Sequence, residues 1–207
     1  MKRILLFSQP VGPHMDKVAK FLFPKELENK IMAYMPINGH QSKQEYTKYW
    51  QELAEKNYTR FLFIDNLSSN YSSEKEKLYQ ANILLISGGN TFELLHNLRK
   101  SKLDQAIKDF SKRDEYVLAG FSAGAIVLSP TIAVASQPAG DDPDGLMDEN
   151  LVGLTDLTGL NIISFEVFPH FNPEKDEQNL KNYQTISSNA IKPITDEGHI
   201  VLDLEQH

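Results

Sequence analysis

Short apolar runs alternate with segments of helical composition along most of this chain, and this alternation restricts its fold more than any other feature. Residues 4–7, 31–34, 61–64, 83–86 and 117–121 have the length and apolar character of strands that are buried on both faces. Helical composition marks residues 16–23, 43–57, 73–80 and 92–110, the last with a break near Ser101. The pattern predicts an α/β fold, a parallel-sheet sandwich with helices on both faces.

The pattern changes after residue 128. Residues 136–159 are polar and rich in glycine and aspartate, which predicts a long loop. Regular patterning returns at residues 160–168, followed by a predicted helix over 174–188 and a last short strand at 200–204. A chain of 207 residues, 41% of them hydrophobic, is long enough to bury one core, so we expect a single domain over residues 1–207.

The amino-acid composition limits the classes of binding partner and of catalytic site that the chain can have. Acidic residues outnumber basic ones by 28 to 21, and the net charge of −7 disfavours nucleic acid and anionic membranes and favours a small peptide partner. The chain has no cysteine, which excludes thiolate nucleophiles and cysteine–zinc sites. No stretch approaches the roughly 20 apolar residues of a membrane span. We expect a cytoplasmic protein and leave a homodimer open.

The segment Gly120-Phe121-Ser122-Ala123-Gly124 has the G-x-S-x-G pattern. It lies between a predicted strand and an apolar run that can begin a helix, which is the context of a nucleophile elbow. The two glycines would permit a sharp turn, and unpaired N–H groups at the helix start would suit an oxyanion. An ordinary strand-to-helix turn is the alternative, so other residues have to decide.

A serine nucleophile needs an adjacent base, and His170 is the best candidate among the six histidines. It follows the strand-like residues 164–168, and ligands bind at strand ends in parallel sheets. The segment Gly88-Gly89-Asn90 also follows a predicted strand, so the N–H of Gly89 could pair with that of Ala123 as an oxyanion hole. A phosphate-binding turn is disfavoured, because neither G-x-G-x-x-G nor a P-loop lysine is present.

Three motifs together resemble the peptidase E group of serine peptidases, which comprises aspartyl dipeptidases and their cyanophycinase relatives. They are Ser87-Gly88-Gly89-Asn90-Thr91-Phe92, Gly120-Phe121-Ser122-Ala123-Gly124-Ala125 with Pro130-Thr131-Ile132 behind it, and Pro169-His170-Phe171. The resemblance implies a class I glutamine-amidotransferase-like (flavodoxin-like) fold. It further implies Ser122 as nucleophile, His170 as base, Gly89 and Ala123 as oxyanion donors, and Gly88 and Asn90 in the substrate site.

The acid of the triad is open at this point. The dipeptidases have an aspartate a few residues after the Pro-Thr-Ile segment, whereas an ungapped count reaches Gln137 here. Asp141 or Asp142 would take the role if the loop were shifted, and we prefer these two. Glu166 is the other candidate, because it lies four residues before His170 and would point to the same face of an extended strand.

Specificity is predicted to differ from that of the dipeptidases, whose helix start after the histidine carries an arginine for the substrate's aspartyl carboxylate. The comparable stretch here is Asp176-Glu177-Gln178-Asn179, and an acidic residue would repel that carboxylate. Strict selection of N-terminal aspartate is therefore not expected. Lys175 or Lys181 could replace the arginine.

We therefore predict a serine peptidase that hydrolyses small peptides or dipeptides, with no cofactor. An esterase of α/β-hydrolase type would have the same order of serine and histidine, although the chain is short for that fold. A binding protein that keeps the pocket but has lost the triad acid is a further alternative, because Gln137 carries no charge. A metal hydrolase is disfavoured by the lack of H-E-x-x-H or similar spacing, so we predict no metal.

Overall fold

The computed structural model describes residues 1–137 and 148–204. The strands in these ranges are β1 (Lys2–Phe7), β2 (Ile31–Met35), β3 (Arg60–Phe63), β4 (Ile83–Ile86), β5 (Tyr116–Phe121), β6 (Phe165–Phe168), β7 (Ala190–Pro193) and β8 (His199–Leu204). The α-helices are α1 (Met15–Leu22), α2 (Gln44–Lys56), α3 (Tyr71–Gln80), α4 (Thr91–Ser101), α5 (Leu103–Phe110), α6 (Ala123–Ile126) and α7 (Glu177–Ile186). Short 3₁₀ helices cover Gly39–Gln41 and Ala133–Ser136.

Six strands form the main sheet in the order β3-β2-β4-β5-β1-β8. The first five are mutually parallel, and β8 lies antiparallel to β1 at the edge. Helices connect the parallel strands, as crossover connections require. A separate pair, β6 and β7, is parallel and places Phe168 opposite Pro193.

Successive side chains of a strand point to opposite faces of the sheet, so the apolar side chains form two layers, one on each face. Leu5 of β1 packs in a cluster with residues of α1 and α2, among them the fully buried Trp50. Ile4, its neighbour, belongs to the opposite cluster together with residues of α3, α4, α5 and α7. The predicted parallel-sheet sandwich with helices on both faces is confirmed.

The region after the elbow differs from the sequence-based prediction. The regular patterning at residues 160–168 yields strand only at Phe165–Phe168, and β7 was not predicted at all. Strand β7 is largely exposed and ends in Lys192 and Pro193, so it lacks the apolar signal of a buried strand. Its place is set by pairing with β6.

The carboxyl ends of four parallel strands meet at one edge of the main sheet. Ser8 follows β1, Ile37 comes shortly after β2, Gly88 shortly after β4, and Ser122 directly after β5. Residues at this edge are available to a ligand, since the strands end there and their connections turn away. No helix in the described ranges combines the length and hydropathy needed to cross a membrane.

Candidate active site

Ser122 lies in a sharp turn between β5 and α6. Its backbone has φ 49° and ψ −121°, a conformation that residues with a side chain rarely adopt. The Ser122 N–H donates to the carbonyl of Phe7 at 3.0 Å, and the Ser122 carbonyl accepts from the N–H of Ile126 at 3.0 Å. These bonds hold the strained turn at the end of the strand, as the G-x-S-x-G motif predicted.

The two glycines of the motif are required by close backbone contacts. A Cβ on Gly120 would lie 2.3 Å from the carbonyl oxygen of Gly124. A Cβ on Gly124 would lie 2.2 Å from the carbonyl oxygen of Ile86 in β4. The turn therefore packs so tightly against its own helix and the adjacent strand that neither position has room for a side chain.

We predict that Gly124→Ala lowers the free energy of unfolding by about 3 kcal/mol, because a Cβ clashing with backbone can be relieved only by moving the turn. Thermal or urea unfolding followed by circular dichroism measures the change. Gly153→Ala is the control: an added Cβ there meets no atom within 4 Å, so only its φ of 63° opposes alanine, at a cost of about 1 kcal/mol. Equal losses in the two variants would contradict the packing argument.

Ser122, His170 and Asp196 form one line of hydrogen-bonding groups. The Oγ of Ser122 lies 3.0 Å from Nε2 of His170, and Nδ1 of His170 lies 2.6 Å from Oδ1 of Asp196. The His170 side chain is 16% exposed and that of Asp196 is 52% exposed, so one side of the carboxylate faces solvent. A hydroxyl, an imidazole and a carboxylate in this order can activate the hydroxyl as a nucleophile.

The pairing of β6 with β7 brings His170 and Asp196 together. His170 follows the end of β6, and Asp196 follows the end of β7. The backbone pairing continues past the strands, because the Ile194 N–H donates to Phe168 and the Phe171 N–H donates to Ile194. Two parallel strands thus bring His170 and Asp196 together from adjacent carboxyl ends.

Ser8 connects the segments that follow β6 and β7 to the main sheet by hydrogen bonds. Its side chain is fully buried at the end of β1. The Ser8 Oγ accepts a hydrogen bond from the His170 N–H at 3.0 Å and donates one to the Ile194 carbonyl at 2.9 Å. Sequence reasoning missed both Ser8 and Asp196; the position of Ser8 after the first strand was the available signal.

The prediction of Glu166 as the partner of His170 is wrong. Glu166 is fully buried, and its carboxylate accepts hydrogen bonds from Tyr183 Oη, from Ser187 Oγ at 2.6 Å and from Asn189 Nδ2 at 2.9 Å. The strand argument fails because His170 lies beyond the end of β6 with φ 57°, which turns its side chain out of the alternation. Asp141 and Asp142 lie outside the described residues.

Gly89 and Ala123 are the residues whose N–H groups were predicted to form an oxyanion hole. Gly89 borders both cavities that reach Ser122, and Ala123 is the first residue of α6. Neither N–H donates to another group in the described part of the chain. A Cβ built on Gly88 would lie 2.9 Å from the Cβ of Ser122, which shows how closely this loop approaches Ser122.

The other predicted binding residues are placed differently. Gly88 lines the larger cavity at Ser122. The Asn90 side chain instead caps α4 by accepting from the Glu93 N–H, and it donates to the Glu149 carbonyl. Lys175 is exposed in the turn before α7. Neither Asn90 nor Lys175 lines the two cavities that contact Ser122.

Two cavities of unequal size meet at Ser122, Gly89 and His170. The larger has a volume of about 510 Å³, and the smaller about 40 Å³. Apolar and aromatic side chains form much of the larger wall: Pro10, Val11, Tyr34, Pro36, Ile37, Tyr46 and Phe121. The smaller wall holds Asp148 and Thr91 beside apolar residues such as Ile126 and Phe168.

Asp148 is the charged group of the smaller cavity. Its Oδ2 accepts a hydrogen bond from the Thr91 N–H at 2.7 Å, at the first turn of α4. Burial raises the pKa of the Asp148 carboxyl, and hydrogen bonding to Thr91 opposes part of that rise. No cluster of three or more metal-binding side chains occurs among residues 1–137 and 148–204.

Several known proteins that are similar to this chain are peptidases. Residues 8–206 match the sequence model of peptidase family S51. An uncharacterized peptidase of Pasteurella multocida is 30% identical over 176 residues, which cover 83% of this chain and 78% of that relative. The peptidase E of Nostoc sp. is 26% identical over 206 residues, covering 90% of this chain and 76% of that protein.

A solved structure has the same fold. The crystal structure of a candidate peptidase E from Listeria monocytogenes matches with a TM-score of 0.72 at 23% identity, covering 99% of this chain and all of the other. Its agreement supports the α/β architecture, and the family match covers nearly the whole length. The resemblance that the three motifs predicted is therefore confirmed, and the chain belongs to peptidase family S51.

Proposed function

We propose that this peptidase hydrolyses small peptides with Ser122 as nucleophile, His170 as general base and Asp196 as the acid that orients the histidine. The observation that carries the proposal is the hydrogen-bonded line from Ser122 Oγ through both ring nitrogens of His170 to Asp196. The nucleophile, its base and the orienting group are all within hydrogen-bond reach, which is the geometry that nucleophilic catalysis needs.

In the acylation step, the Ser122 Oγ forms a bond to the peptide carbonyl carbon while Nε2 of His170 takes the hydroxyl proton. The carbonyl oxygen becomes an oxyanion, to which the Gly89 and Ala123 N–H groups would donate. The C–N bond then breaks, and His170 returns the proton to the leaving amine. Water, deprotonated by His170, releases the acyl group by the same steps in reverse.

Asp196 also bears on the alternative of a binding protein without catalysis. That alternative rested on Gln137, a neutral residue at the position expected for the triad acid. In the described structure, the carboxylate of Asp196 lies within hydrogen-bond distance of His170, and Asp196 follows the histidine in the sequence. The pocket therefore retains a charged partner for the imidazolium, which supports turnover. The cytoplasmic location and the oligomeric state stay predictions.

A fluorophosphonate tests the nucleophile directly, because it phosphonylates only an activated serine. We expect a stoichiometric adduct on the Ser122 peptide by mass spectrometry and matching loss of dipeptide hydrolysis. Replacing His170 with alanine should abolish labelling while the fold, followed by circular dichroism, is retained. An intact protein that stays unlabelled while a control serine hydrolase reacts completely would refute the proposed mechanism.

A further inference from the structure

Ser87 is a buried serine directly after β4 that takes no part in the line from Ser122 to Asp196. Its side chain borders the larger cavity, and the residue as a whole is only 4% exposed. The Ser87 Oγ donates a hydrogen bond to the carbonyl of Gly88 at 3.1 Å. Among residues 1–137 and 148–204, this is the only hydrogen bond that the Gly88 carbonyl accepts.

The groups around Ser87 fix the direction in which its hydroxyl donates. The Ile37 N–H, which can only donate, gives a hydrogen bond to the Ser87 Oγ at 2.9 Å. The Tyr34 hydroxyl is a further hydrogen-bond contact of Ser87, and burial raises the pKa of Tyr34, so this hydroxyl keeps its proton. A serine hydroxyl has one proton and two lone pairs. With two donors on its lone pairs, the single proton of Ser87 is directed to the Gly88 carbonyl.

The Gly88 carbonyl and the Gly89 N–H belong to the same peptide unit. This unit is planar and trans, so its C=O and N–H bonds point in opposite directions. A hydrogen bond that holds the carbonyl therefore also sets the direction of the N–H. The peptide could otherwise turn over at low cost, because Gly89 has φ 136° and glycine adopts positive and negative φ about equally well.

We propose that Ser87 is a positioning residue for the oxyanion hole. By holding the Gly88 carbonyl, it aims the Gly89 N–H at the substrate oxygen that becomes negative when Ser122 attacks. This inference rests on the proposed function. The opposite orientation would present a carbonyl oxygen to the oxyanion, and the two would repel each other. Ile37 supports the arrangement, since its side chain packs so closely on Gly89 that a Cβ there would lie 2.6 Å from Ile37 Cδ1.

Ser87→Ala leaves the Gly88 carbonyl without its donor. Water in the larger cavity can replace that donor only if the peptide turns over, so we expect the turned orientation to become populated. One hydrogen bond biases such an equilibrium by about tenfold, whereas complete loss of an oxyanion donor costs on the order of 100- to 1000-fold. The phosphonyl oxygen of a fluorophosphonate occupies the same hole. The rate constant for labelling Ser122, and kcat for alanyl-phenylalanine, should therefore each fall about tenfold.

A merely structural role of Ser87 would weaken ground-state binding or folding instead. We expect the Kd of alanyl-phenylalanine for Ser122→Ala protein, measured by calorimetry, to change less than twofold when Ser87→Ala is added, because the ground-state carbonyl carries no full charge. Ser101→Ala is the matched control. Ser101 is 1% exposed and donates to the Asn97 carbonyl at 2.8 Å, but it is the last residue of α4 and borders neither cavity at Ser122. This variant should keep the wild-type labelling rate.

A crystal structure of the Ser87→Ala protein gives a readout without turnover. If the Gly88–Gly89 peptide keeps the wild-type orientation alone, the inference is overturned whatever the kinetics. If the wild type is labelled but Ser87→Ala labels within threefold of its rate, or if Kd rises as much as labelling falls, the inference is likewise overturned and the proposed function stands. If the wild type is not labelled but the peptide turns in Ser87→Ala, the positioning by Ser87 stands and the proposed catalysis fails.

Discussion

Replacing Asp196 with asparagine is expected to lower kcat for dipeptide hydrolysis by about 10³-fold with little change in KM. The amide keeps the size of the carboxylate but cannot stabilise the imidazolium that forms on His170, and it can hold the ring in the wrong tautomer. A buried triad aspartate is worth about 10⁴-fold. The expected loss is smaller here because Asp196 is 52% exposed and water screens its charge.

Steady-state kinetics on purified variants measure this loss, and circular dichroism checks the fold. Glu197→Gln is the matched control, since it removes the neighbouring exposed carboxylate without touching His170. We expect Glu197→Gln to stay within twofold of the wild-type rate, as surface substitutions usually have little effect. A folded Asp196→Asn protein that loses less than tenfold in kcat would remove Asp196 from the proposed triad.

The sheet and the sharp turn at Ser122 could be predicted because their signals are local. Five apolar runs between helical segments define the parallel strands, and each was found close to its observed place. The G-x-S-x-G turn is equally local. Its two glycines are needed because a Cβ at either position would clash with the backbone of the turn or of the adjacent β4 strand. Such features can be recognised from the sequence of one segment, without knowledge of the segments that pack against it.

Asp196, the proposed triad acid, could not be found in this way, because its position depends on β7. That strand has only four residues, is largely exposed and includes Lys192 and Pro193, and it is held by hydrogen bonds to β6. Without it, Thr195-Asp196-Glu197-Gly198 has the composition of a surface turn before a last strand. Comparison with the dipeptidases directed the search to residues near Gln137, whereas Asp196 reaches His170 from beyond the histidine in the chain.

The backbone of His170 explains why the second candidate failed. Glu166 has the same strand parity as His170, which would place both side chains on one face of an extended strand. The positive φ of His170 breaks that relation and turns the imidazole towards Ser122. Glu166 instead organises Tyr183, Ser187 and Asn189, and burial together with the Glu166 carboxylate raises the pKa of Tyr183.

The largest effect is expected for Ser122→Ala, which should lower kcat on the order of 10⁶-fold. Alanine keeps the Cβ, so the strained turn and both cavities stay intact and only the nucleophilic oxygen is lost. Ser164→Ala, an exposed serine just before β6, is the control and should keep the wild-type rate. Single-turnover assays at high enzyme concentration are needed, because the residual rate is close to that of a contaminating peptidase.

Adding Asp196→Asn to Ser122→Ala separates catalysis by the triad from other mechanisms. Asp196 acts through His170 on the proton of the Ser122 hydroxyl, so it has nothing to assist once that hydroxyl is gone. We expect the double variant to be no slower than Ser122→Ala alone, because residues that act as a unit are not additive. A further loss of tenfold or more would mean that His170 and Asp196 activate water directly, and Ser122 would then not be the nucleophile.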